Sequence, residues 1–256
     1  MREEKGDVVT YMLFEALIVV HIIGGVIGAV TFWIPVIGRK GGETHRRAGR
    51  IFTKALLVTG SCAIMMSLLT LLAPLETHPH LVGRFDAVFI RGIFGWMMLY
   101  LGVLTLNLVW YGWLCVLHPK DRHQLREWKN LALQPLLVIT GLNCAIQGWL
   151  IDQELMIAIS LIGFATVATN LWYMFKPRVS VVDWQKEHLK ALVGAGISVY
   201  TAFMAFGSVR ILPELALNPL MWAFPLTIGV SIILYHWVRL DGRMRRAQRP
   251  LPVTKS

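Results

Sequence analysis

Charge is what this sequence is short of. Only 16% of its 256 residues are Asp, Glu, Lys or Arg, and 55% are hydrophobic. Mean hydropathy is +0.57, whereas an ordinary soluble domain carries roughly 25% charged residues. The shortfall excludes a soluble globular enzyme, a disordered chain and a nucleic-acid-binding domain. Cysteine is scarce too. Cys62, Cys115 and Cys144 all lie inside apolar runs, so they read as small packing residues and not as a disulfide framework or a thiolate metal site. Acidic residues are the rarer sign, 15 against 25 basic, for a net charge of +10. In a chain this apolar, the placement of the basic residues decides their meaning, because membrane topology collects them in loops. Several motifs are missing: HExxH, the HxxHH boxes of membrane di-iron desaturases, Walker A and GxGxxG. The last apolar run has no lysine to hold a retinal, and no repeat relates the two halves, which weakens an inverted-repeat transporter.

What the sequence has is long apolar runs. A membrane-spanning helix needs about 20 mostly apolar residues. Seven segments qualify: Tyr11–Ile37, Ile51–Leu75, Gly92–Leu117, Leu131–Ile151, Leu155–Phe175, Leu189–Val209 and Ala216–Val238. The fold class expected is therefore an all-α membrane protein, seven transmembrane helices in a single bundle spanning residues 1–256. The first run is too long for a signal-peptide core, and no small-residue cleavage site follows it.

Alternate loops divide the basic residues, 20 of the 25 falling on one side. That side holds Arg39 to Lys54, Lys120 to Lys129, Lys176 to Lys190 and Arg239 to Lys255, while Arg2, Lys5, Arg84, Arg91 and Arg210 take the other. The positive-inside rule puts the crowded side in the cytoplasm, with the N-terminus out and the C-terminus in. Residues 239–256 then form a basic cytoplasmic tail against anionic lipid headgroups, and no nucleic-acid partner is expected. Trp33, Trp110, Trp113, Trp172, Tyr173 and Trp237 near one set of ends, with Trp149 and Trp222 near the other, read as an interfacial belt.

Polar residues inside spans are functional candidates by default. His21 lies mid-span beside Gly24 and Gly28, a spacing that lets a neighbouring helix approach closely. In the sixth span His188, Ala191, Ala195, Ser198, Ala202 and Ala205 make one stripe of small residues with a histidine at its basic end. The stripe either packs against another helix or lines a cavity. Thr140, Asn143 and Gln147 share a face of the fourth span, Gly163, Thr166 and Asn170 one of the fifth, and Tyr100, Asn107 and Tyr111 one of the third. Interhelical hydrogen bonding is the plain reading; the sharper one is a polar cavity lined by Asn107, Asn143, Gln147, Asn170 and Ser198.

Histidine depth carries the cofactor question. His45, His118, His123, His188 and His236 map to the basic end, and only His21 is deep. Imidazole is the commonest metal ligand and a haem takes two as axial ligands at matching depth. His21 lies about 24 Å from its basic-side helix end at 1.5 Å per residue, so it cannot share a haem with His236. A pair drawn from His45, His188 and His236 can, and a haem b or a divalent metal is the cofactor this set would take. The plainer reading is solvated interface histidines. Gly41 and Gly42 break the first helix, with Thr44 a candidate N-cap for the next. His45, Arg46, Gly49 and Arg50 are expected on a tight basic turn able to hold an anionic headgroup or a propionate.

The stretch from His21-Ile-Ile-Gly-Gly through Gly38-Arg-Lys-Gly-Gly-Glu-Thr-His45-Arg46-Arg-Ala-Gly49-Arg50-Ile-Phe52 resembles a bacterial family of membrane proteins defined only as domain of unknown function 2306. The shared pattern is a histidine in the first span, then KG, then HRxxGR. Trp184-Gln-Lys-Glu187-His188-Leu looks compatible with a second landmark of that family. The resemblance implies a multi-pass protein of the bacterial inner membrane. That family has no established activity, so two function classes stay open. One is a haem- or metal-dependent redox or lipid-modifying enzyme using the histidines at the basic end. The other is a small-solute or proton-coupled transporter with a polar path.

Overall fold

The computed structural model describes the backbone of residues 2–207 and 218–247. Every regular element among them is helical. Seven helices are long and apolar enough to cross a membrane, which makes the chain an all-α, multi-pass membrane protein. They are α1 (Arg2–Ile37), α2 (Glu43–Leu72), α3 (Ala87–Leu117), α4 (Trp128–Leu150), α5 (Glu154–Phe175), α6 (Asp183–Ala202) and α7 (Pro219–Ala247). A π-helical segment, Arg91–Met97, interrupts α3, and another, Phe203–Gly207, extends α6. The expected span ends Val209 and Ala216, and the charges Arg210, Arg249 and Lys255, lie outside the described residues.

Several helices run past their apolar segments, because polar residues continue a helix whose apolar part is already held. Helix α2 begins at Glu43, ahead of the apolar run from Ile51, so His45, Arg46, Gly49 and Arg50 stand on helix and not on a turn. The turn itself is Gly38–Gly42, where Gly41 takes φ +76°, a backbone state open to glycine. Gly42, not Thr44, is the N-cap. Helix α6 begins at Asp183, which places His188 inside it. Helix α7 runs on to Ala247, so much of the expected tail is helical.

Small residues set the packing. A Cβ added at Gly24 would come within 2.5 Å of Thr59 Oγ1, and one at Gly28 within 2.6 Å of Leu56, so α1 lies directly on α2. Gly60 and Gly102 bring α2 against α3. Ala191, Ala195 and Ala205 of the α6 stripe are fully buried. A Cβ at Gly112 would meet the Ala191 Cβ at 2.9 Å, so the stripe is a packing surface against α3. The outside is apolar: Ile22, Ile23 and Val26 of α1 and Ile139, Leu142 and Ile146 of α4 are all exposed. Such an exterior suits lipid and would aggregate in water. Trp128, Trp149 and Trp172 are exposed at helix ends, as a belt requires, whereas Tyr173 and Trp222 are buried at 4% and 6% exposure and belong to the core.

Basic residues do more than mark a side. Lys40 Nζ donates to the Pro35 and Val36 carbonyls at the end of α1. Arg122 donates to the Tyr173 and Lys176 carbonyls and Arg126 to Met174, closing the end of α5. Cations at helix C-termini satisfy orphan carbonyls and oppose the helix dipole.

Candidate functional site

At the basic end, α1, α2, α3 and α6 converge around a cavity of about 310 Å³. That size is at the lower end of small-molecule sites, roughly 300–1,000 Å³. Its walls are apolar: Phe32 and Val36 from α1, Phe52 from α2, Trp113 and Val116 from α3, Leu189, Leu192 and Val193 from α6. Most of its polar groups come from α2, joined by Lys40 of the preceding turn and His188 of α6. His45, Gly49 and Thr53 recur at every fourth residue, with Arg46 and Arg50 beside them. Nothing lies within 4 Å of a Cβ built at Gly49, so that glycine leaves the space open.

The structure brings His45 and His188 to this one cavity. His188 is held in place: its Nδ1 lies 3.0 Å from the Gly112 carbonyl, to which it must donate. Nε2 is thereby left as the free basic nitrogen. The neighbouring Glu187 accepts from Tyr111 Oη at 2.8 Å and from Lys190 Nζ at 2.5 Å, pinning this turn of α6 against α3. Two polar atoms in the cavity wall are buried and unpartnered, His45 Nδ1 and Thr53 Oγ1. Thr53 is only 3% exposed. Helical threonines normally donate to the carbonyl four residues back, as Thr59 does to Ala55 at 2.9 Å. Thr53 does not. A buried polar atom left without a partner is costly and asks for an explanation.

Lys40, Arg46 and Arg50 line the same space, and no acidic side chain does. Burial and the charge of Arg239 push the Lys40 ammonium below its ordinary pKa. Arg46 donates to the Gly41 carbonyl at 3.0 Å.

The other expected residues go elsewhere. His236 does not line the cavity; it lies on α7 with its ring against Tyr235. His21 Nδ1 donates to the Thr59 carbonyl at 3.0 Å, a contact between α1 and α2. Of the residues expected to line a polar cavity, Asn107 and Asn170 meet in a polar cluster with Gln134. Asn107 and Asn170 are fully buried, and Asn170 Nδ2 donates to Asn107 Oδ1 at 3.2 Å and to Gln134 Oε1 at 3.5 Å. Asn143 and Gln147 stand beside the buried stripe of α4, which is Asn130, Gln134, Leu137, Gly141, Cys144 and Gly148. Ser198 Oγ donates back to its own helix, at Gly194. The reason is geometric: in lipid a polar side chain finds a partner on the nearest helix or its own backbone, and the chosen face follows from packing. Sequence reasoning missed Thr53, Gln134 and Glu187. The i, i+4, i+8 relation of Thr53 to His45 is the signal that points to it.

Among the described residues no group of three or more His, Cys, Asp or Glu side chains is arranged to hold a metal ion. No family model, curated protein or solved structure matches the chain.

Proposed function

We propose that this protein is a membrane enzyme that acts on the head of an amphiphile held in the His45–His188 cavity. The supporting observation is the pairing, in one space of about 310 Å³, of apolar walls with two imidazoles and an unpartnered hydroxyl. An apolar chain fits the walls; its polar head meets the ridge of α2. His188, with its tautomer set by Gly112, serves as proton acceptor through Nε2, and His45 as its partner across the cavity. The basic end lies in the cytoplasm, a placement supported by the 20-of-25 split of basic residues. The bacterial inner membrane is supported by the motif from His21 to Phe52.

Purifying the protein in mild detergent and identifying the amphiphile that accompanies it tests the reading. A Gly49→Phe variant places a ring in the open space without a backbone clash. It is expected to lose the amphiphile, while His45→Gln and His188→Gln keep it and lose turnover. Retention by Gly49→Phe would end the proposal. A reporter active only in the cytoplasm, fused to the C-terminus, checks the orientation; a silent fusion reverses it.

One observation favours a second reading. Two imidazoles reach one cavity from α2 and α6, which is the ligand number of a haem, whereas a structural zinc takes four ligands. A Soret band in the purified protein, lost in His45→Ala and in His188→Ala, would put haem in place of the amphiphile. A transmembrane polar path draws less support, because Asn170 donates to both Asn107 and Gln134, whose own amide groups donate to backbone carbonyls.

A further inference from the structure

We infer that the head recognised in this cavity is a phosphate monoester, carried by a lipid whose chain enters between the apolar walls; the inference rests on the amphiphile reading above. Three cations line the space with no carboxylate among them. Three other basic residues at this end are paired with acids, whereas Arg122 and Arg126 donate to backbone carbonyls. Lys176 pairs with Asp183, Lys186 with Asp241 at 2.6 Å, and Lys190 with Glu187. By contrast Lys40 and Arg46 donate only to backbone carbonyls, and among the described residues no hydrogen bond or ion pair occupies Arg50. Like charges gathered on one wall repel one another unless an anion joins them.

The neutral groups narrow the anion. Arg46, Arg50 and Thr53 follow the i, i+4, i+7 spacing of one helical face, so two guanidinium forks and a hydroxyl meet the same incoming head. Thr53 is 3% exposed and its Oγ1 has no partner. A carboxylate has two oxygens and one charge. A phosphate monoester offers three terminal oxygens and up to two charges, and guanidinium forks match it bidentately. Thr53 is about 4.5 Å deeper than Arg50 at 1.5 Å per residue. It therefore meets the inner side of the head, where the ester oxygen joins the chain. Phe32, Phe52 and Leu192 then face the first carbons.

Native mass spectrometry of the full chain in detergent tests this with four probes: dioleoyl phosphatidic acid, dioleoyl phosphatidylglycerol, dioleoylglycerol and inorganic phosphate. Phosphatidic acid is expected to bind in preference to the other lipids. Arg50→Gln, at an exposed position, is expected to weaken it about ten-fold, which is about 1.4 kcal/mol. Thr53→Val is expected to weaken it less, and Gly49→Phe to abolish it. Inorganic phosphate that fails to compete identifies the lipid as the source of the head. Full competition, with no advantage for the lipid, identifies free phosphate and overturns the lipid part of the inference. Equal binding of dioleoylglycerol or phosphatidylglycerol, unmoved by Arg50→Gln but lost in Gly49→Phe, overturns the phosphate head and leaves the amphiphile site standing. Binding that survives Gly49→Phe overturns both.

Discussion

Replacing Thr53 by valine should make the lipid-free protein more stable. The hydroxyl is buried at 3% exposure and has no hydrogen-bond partner. A buried polar group left unsatisfied costs about 1–3 kcal/mol, and valine keeps the shape while removing the group. A gain of about 1 kcal/mol is therefore expected for Thr53→Val. The matched control is Thr59→Val, further along α2. Thr59 Oγ1 donates to the Ala55 carbonyl at 2.9 Å, so the same substitution there removes a made bond. It should cost about 0.5–1.5 kcal/mol. The two variants differ by one oxygen-to-methyl exchange on one helix and should move in opposite directions. The assay is thermal unfolding of delipidated protein in detergent, read by tryptophan fluorescence, then repeated with phosphatidic acid added. The advantage of Thr53→Val should shrink with the lipid, because the wild-type hydroxyl then has its partner. A Thr53→Val protein no more stable than wild type, or moving the same way as Thr59→Val, would show that the hydroxyl is not waiting for a ligand.

Three further outcomes follow from the packing. Asn170→Leu should destabilise by about 1–2 kcal/mol, because Asn107 Oδ1 and Gln134 Oε1 lose their donor; Asn143→Leu should be neutral or better, since Asn143 Oδ1 is already unpartnered. Chemical unfolding of the pair checks both. Gly196→Ala should cost about 1–3 kcal/mol by overpacking, because a Cβ there would lie 2.3 Å from the Phe32 ring, and Phe32 lines the cavity, so amphiphile retention should fall with stability. His78, between α2 and α3, packs against Phe94 and Phe14, and burial followed by the nearby His80 charge pushes it from 6.5 down to about 4. The unfolded chain then takes up a proton that the native state refuses. Stability is full above about pH 6.5 and falls by up to about 3 kcal/mol as the pH drops to 4. His78→Gln should flatten that slope in unfolding measured from pH 7 to 4; an unchanged slope would exonerate this histidine.

The number of helices, their approximate extents and the end that gathers positive charge were determined by the sequence alone. Each rests on a local quantity: hydropathy summed over about 20 residues, or a loop's own count of Lys and Arg. The meeting of His45 with His188 was also within reach, since both stand at the basic end and the α6 stripe draws its histidine inward. What only the tertiary structure decided was rotation and partnership. Which face of α4 is buried separates Gln134, inside, from Asn143 and Gln147, beside it. Asn170 became core and not cavity because α3 presents Asn107 to it at 3.2 Å. Tyr173 and Trp222 left the interfacial belt because their helices turn them inward. Helix α2 starts at Glu43, ahead of its apolar run, in polar turns that no hydropathy window registers. Thr53 shows the limit most plainly. Its spacing from His45 is written in the chain, but its missing partner is a property of a space lined by four helices. A helix's periodicity fixes which residues share a face, and only packing against the rest of the bundle chooses where that face points.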